Sequence, residues 1–174
     1  DDGTVEFLVY GYMNRGNHEG NQGLGLYSYS KDGAVTERFF ADSSRSYDEI
    51  RQDIEKLSYL NENGMFYVYQ DGVVYGIDLS SKEYMVVADG LTEETSAISS
   101  DRTRLAWLEG QDAYEAKTIH VFNMATGEKQ EIQAPEGSVL RALGFVQGDF
   151  VYGLAHPEDI WMLNGRAEDL PRAV

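Results

Sequence analysis

Two of the three histidines in this 174-residue chain stand beside carboxylates in stretches rich in Gly, Asn or Pro. His18 precedes Glu19 within Asn14-Arg15-Gly16-Asn17-His18-Glu19-Gly20-Asn21-Gln22-Gly23, and His156 opens the run His156-Pro157-Glu158-Asp159. An imidazole beside a carboxylate can move a proton. With three or four donors converging within about 2.3 Å, the same groups can hold a divalent metal. Such a face would suit a hydrolase, lyase or metal-dependent enzyme using His18, Glu19 and His156. These residue types also make up an ordinary exposed polar loop, and the sequence supplies the types without the convergence. A third polar stretch, Glu109-Gly110-Gln111-Asp112-Ala113-Tyr114-Glu115-Ala116-Lys117, adds Asp112 and Tyr114. The candidate ligand or partner contacts are therefore Arg15, Asn17, His18, Glu19, Asp112, Tyr114, His156 and Asp159, with no residue assigned as catalytic and none as a metal ligand.

The elements that must position these residues come from a repeat. Phe7-Leu8-Val9-Tyr10-Gly11, Phe66-Tyr67-Val68-Tyr69, Leu105-Ala106-Trp107 and Phe150-Val151-Tyr152-Gly153 are four versions of one apolar phrase. The first three each lead to an alternating strand running into a polar turn: Leu26 to Gly33, Val74 to Lys82, and Ile119 to Gly127. A further strand follows each of these, and another strand with an Asn, Asp or Gly turn precedes the later copies. One unit is thus strand A, turn, strand B, loop, strand C, turn, strand D, in about 45 residues. A four-stranded antiparallel unit of that length, repeated, is the pattern of a β-propeller blade. The fold class expected is all-β, with about three and a half blades. Their bounds are residues 4–41, 57–90, 95–134 and 139–174, all in one partial domain spanning 1–174. The first unit lacks a strand A before Val5. The last lacks a convincing C and D: the stretch from Ile160 to Leu163 is short, Pro171 follows, and a new strand could start only at Val174. A fragment of a longer propeller fits this better than a ring closed within the chain. Its cut edges would invite strand pairing with another copy.

One insertion breaks the β rhythm. Ser46-Tyr47-Asp48-Glu49 reads as a capping box. Ile50, Ile54 and Leu57 follow at helical spacing, with Arg51, Asp53 and Glu55 expected to point away. A helix near residues 47–56 is predicted between strand D of the first unit and strand A of the second.

In such a meander the B–C and D–A loops share one face, and the A–B and C–D turns the other. The variation lies on the first face: a long loop in the first unit, a tight Asp71-Gly72 hairpin in the second, then the stretches holding Asp112 and His156. His120 alternates with Phe122 in a strand and reads as a packed sheet residue. Tyr67 and Tyr69 read as packing between blades, and Ser99-Ser100-Asp101 as a side-chain-bonded turn.

Composition narrows the function classes. Thirty acidic against 14 basic residues give a net charge of −16, which repels a phosphate backbone. There is no cysteine, so disulfides and thiolate sites are out. No apolar run reaches the roughly 18 residues of a membrane helix. Calcium-loop, P-loop, dinucleotide and G-x-S-x-G signatures are absent, so no cofactor is expected. The start at Asp1-Asp2-Gly3 suggests a processed or excised segment. Compartment stays open, with an extracytoplasmic site, at the cell surface or secreted, favoured.

The phrase Ile98-Ser99-Ser100-Asp101-Arg102-Thr103-Arg104-Leu105-Ala106-Trp107 resembles the "S-x-D-G-x-x-L-A" phrase of the TolB-like and WD40-like propeller repeats of bacteria. Arg102 or Thr103 stands where the family has its turn glycine. The resemblance is clearest over residues 95–132 and implies a fold and a habit of binding. The function expected is a non-catalytic binding or scaffold module, presenting its B–C loops to a protein, peptide or glycan partner. The alternatives are the His18/Glu19/His156 enzyme and an accessory propeller of a larger multidomain enzyme.

Overall fold

A computed structural model describes residues 3–110, 112–163, 166–168 and 172–173. Sheet I is the meander β1 (Val5–Tyr12), β2 (Gln22–Tyr29) and β3 (Val35–Asp42). Helix α1 (Tyr47–Lys56) follows. Sheet II runs β4 (Ser58–Leu60), β5 (Met65–Gln70), β6 (Val73–Asp78) and β7 (Tyr84–Ala88) in spatial order. Sheet III repeats it with β8 (Ser96–Ile98), β9 (Arg104–Leu108), β10 (Thr118–Asn123) and β11 (Glu128–Gln133). Sheet IV holds β12 (Val139–Val146) and β13 (Asp149–Ala155). Every pairing is antiparallel. The all-β expectation and its strand-by-strand rhythm are therefore met.

The fourth unit departs from the others. After β13 the chain makes a small hairpin of its own, β14 (Trp161–Leu163) with β15 (Arg166–Glu168). The place beside β13 goes to β16 (Arg172–Ala173), through Gly153 opposite Ala173 and Leu154 opposite Arg172. Pro171 and Val174 lie outside the described residues.

The sheets stack face to face, and alternation along each strand decides which junction a side chain serves. Leu26, Phe66, Val68, Ile77 and Leu79 form the core between sheets I and II. Tyr67, Tyr69 and Val74 turn the other way, against Leu105, Trp107, Phe122 and Met124 of sheet III. Ala106, Leu108 and Ile119 then leave sheet III to meet Leu140 of sheet IV. This is why β5 and β9 are nearly continuous apolar runs: both faces of an interior sheet are buried. Among the described residues sheet I packs against sheet II on one face, and Val5, Phe7, Val9, Tyr29 and Val35 on its other face are exposed.

Polar turns fix the register. Asp101 accepts from the Ser99 hydroxyl at 2.6 Å and from the Thr103 amide and hydroxyl at 3.1 and 2.9 Å. Arg102 has φ +61° there, the left-handed conformation that glycine adopts most easily. Asn61 does two jobs. Its Oδ1 accepts from the Asn63 and Met65 amides, and its Nδ2 donates 3.1 Å across the junction to the Met124 carbonyl in the next unit. The Asp71-Gly72 link has φ +50° and +80°, as a two-residue primed hairpin turn requires.

Helix α1 carries the predicted capping box. Ser46 Oγ accepts from the Glu49 amide, and Glu49 Oε2 accepts from the Ser46 amide at 2.8 Å. Ile50 and Ile54 are buried, and Leu57, just past the helix, is fully so. Asp53 corrects the sequence reading: it is buried with them and does not point to solvent. The reason is electrostatic. Arg45 and the Asp71 amide both reach its carboxylate, so a charge turned inward finds partners there.

Candidate functional site

The face bearing the B–C and D–A loops contains a cavity of about 270 Å³ between sheets I and II. Its position follows from the inserted helix. α1 packs against β1 and β5, with the Tyr47 ring stacked on Tyr10 at 5.1 Å, and its inner face closes one side of the cavity. Leu24 and Phe39 line the cavity from sheet I, Val68, Tyr75 and Ile77 from sheet II, and Ile50 and Ile54 from the helix. Asp42, Ser43, Arg45, Asp53 and Gln70 bring polar side chains to the lining, and Tyr69, Tyr75 and Tyr84 bring rings that each carry a hydroxyl.

Arg45 organises that polar side. One guanidinium nitrogen lies 3.2 Å from Asp53 Oδ2 and the other 3.1 Å from Asp71 Oδ1. Its Nε is buried without a hydrogen-bond partner among the described residues. Its carbonyl accepts from the Gln22 side chain, which ties the helix approach to the start of β2. Burial raises the Asp53 carboxyl above its ordinary range, and the Arg45 guanidinium offsets part of that rise. The three groups thus make one cation between two carboxylates, with Asp42 nearby as a third.

The sequence-derived candidates are distributed over three separate loops. His18 folds back on sheet I, its ring stacked 3.6 Å above Phe40 and its Nε2 2.8 Å from Glu37 Oε2. Arg15, Asn17 and Glu19 around it are exposed. Asp112 Oδ1 accepts from the Tyr114 amide at 2.7 Å, and the Tyr114 ring carries the Arg141 guanidinium 4.1 Å from its centre. His156 lies in hydrogen-bond contact with the Gly137 carbonyl at 3.2 Å, and the Asp159 amide donates to the His156 carbonyl. Each histidine has its own neighbours, Phe40 and Glu37 for one and Gly137 for the other. No group of three or more His, Asp or Glu side chains is arranged to hold a metal ion among the described residues. His120 is packed in the sheet as its alternation suggests, 5.0 Å from the Trp107 ring, with Nδ1 3.2 Å from Glu131 Oε1.

Sequence reasoning missed Arg45, Asp53 and Asp71. They come from three different segments, each with an innocuous local reading: a loop, a helix face and a turn. The one available signal was that Asp53 directly precedes Ile54 and falls one turn after Ile50, at the edge of the apolar stripe.

Fold and site together define an all-β protein of propeller-like build, with successive antiparallel meanders stacked face to face and a helix inserted at one loop face. No described helix is long and apolar enough to cross a membrane. No protein-family model matches the chain, and no curated protein matches it. Among solved structures, the chain is similar to the crystal structure of Porphyromonas gingivalis dipeptidyl peptidase 4, at 14% identity and a TM-score of 0.36. That alignment covers 87% of this chain and 29% of the other.

Proposed function

We propose that this chain is a non-catalytic binding module, akin to the TolB-like and WD40-like repeats, whose B–C and D–A loop face receives a protein, peptide or glycan partner. The observation that carries the reading is the asymmetry of that face. It gathers a long loop, a helix and a cavity, whereas the opposite turns are short and closed by their own Ser, Thr, Asp and Asn side chains. Exposed Arg15, Asn17, Glu19, Asp112 and Asp159 supply polar contacts on it, and Tyr114 a half-buried ring. Strand pairing with another copy at an outer sheet edge belongs to the same reading. A net charge of −16 disfavours nucleic acid.

The test is selection from a displayed random-peptide library and a glycan array, followed by backbone amide shift mapping of each ligand obtained. Ligands should shift residues 13–21, 43–57 and 109–117, and exchange of 14–21 for Asp-Gly should weaken them at least about tenfold while thermal unfolding stays cooperative. Ligands that map to the A–B and C–D turns, or that bind the loop-exchanged protein equally well, would overturn the reading.

A further inference from the structure

Resting on that reading, we infer that the cavity between sheets I and II takes a ligand, or a partner side chain, with an apolar body and one protonated amine. The size limits the body. At about 30 Å³ per water-sized group, the cavity accepts on the order of ten heavy atoms. The walls set its character. Leu24, Phe39, Ile54, Val68 and Ile77 offer no polar side-chain atom, and the rings of Tyr69, Tyr75 and Tyr84 extend that apolar wall, so the body that these walls favour is aliphatic or aromatic.

Charge decides the head group. Arg45 is the sole cation lining the cavity among the described residues, and both its terminal nitrogens already face Asp53 and Asp71. An incoming carboxylate or phosphate would therefore find both guanidinium ends engaged and the unpartnered Nε buried out of reach, and it would meet the Asp42 and Asp53 carboxylates of the lining. A neutral body would exclude water from Asp53 and leave its charge poorly solvated. A protonated amine does the reverse. It replaces the lost water beside the Asp53 carboxylate and brings the local charge, three carboxylates against one guanidinium, closer to balance. The exposed Asp42 carboxylate at the rim adds long-range attraction for a cation and repels an anion.

Three probes of nearly one shape separate the possibilities: 2-phenylethylamine, 2-phenylethanol and phenylacetate, titrated into the 174-residue protein while methyl shifts are followed. 2-Phenylethylamine should move the Leu24, Ile54, Val68 and Ile77 methyls saturably, at least about tenfold more tightly than the alcohol, with phenylacetate weakest. Asp53→Asn should remove the preference for the amine over the alcohol and leave the alcohol's binding in place. If that variant loses its fold with the Arg45 pairing, Asp42→Asn keeps the test open: it should lower amine affinity about threefold without moving the alcohol's. Equal binding of all three probes, shifts elsewhere on the protein, or no shift in these methyls would overturn the inference. A loop-face ligand that survives such a result would leave the binding-module reading intact. Amine binding without any loop-face ligand would do the opposite.

Discussion

Replacing Phe66 by Ala tests the claim that the molecule is a stack of sheets joined pairwise. Phe66 is 2% exposed and sits between sheets I and II, its ring 6.5 Å from that of Phe39. Removing a buried phenyl ring costs about 3–5 kcal/mol, the lost transfer energy plus the cavity left behind. In an array whose units touch only their neighbours, that loss falls on one junction. At about 1.4 kcal/mol per tenfold, even the lower figure makes opening of sheet I on the order of a hundredfold more frequent. Native-state hydrogen exchange read by mass spectrometry resolves this. Peptides from residues 5–42 should lose protection by about a hundredfold or more, whereas those from β9 and β10 should change by less than about tenfold. Leu140→Ala, at the junction of sheets III and IV, should give the mirror pattern, since Leu140 is fully buried there. A uniform fall in protection along the whole chain in both variants would refute pairwise stacking and mean one indivisible core.

Two further outcomes follow from polar groups in the turns. Asn61→Ala leaves the buried Met124 carbonyl without its cross-junction donor, and a lost bond of that kind costs about 1–3 kcal/mol, readable as a lower urea midpoint at unchanged slope. Asp101 is held at about 2, against an ordinary 3.8, first by the Ser99 hydroxyl and then by the Thr103 amide and hydroxyl. A depressed carboxyl stabilises the fold above its ordinary value and loses that contribution as pH falls toward the folded one. The melting-temperature gap between the wild type and Asp101→Asn should therefore be constant above about pH 5 and close as pH falls from 3.8 to about 2. A gap that widens on acidification would show that the hydrogen bonds do not favour the ionised form.

Much of the architecture was legible because it is local. Alternating residues dictate strands, Ser46 and Glu49 dictate a helix start, and Asp71-Gly72 dictates a two-residue hairpin, each within a window of a few residues. The 45-residue recurrence then dictates antiparallel meanders, and the topology of a meander sorts loops onto two faces without further information. Tertiary structure decided what depends on distance between segments. It stacked Tyr67 toward one sheet and Phe66 toward the other, and gave His18 to Phe40 and Glu37 while His156 lies by Gly137. It also turned Asp53 inward. Helical spacing shows only that Asp53 borders the apolar stripe. Whether a carboxylate there faces water or the core depends on a cation brought from elsewhere, and only the folded chain sets Arg45 within 3.2 Å of it.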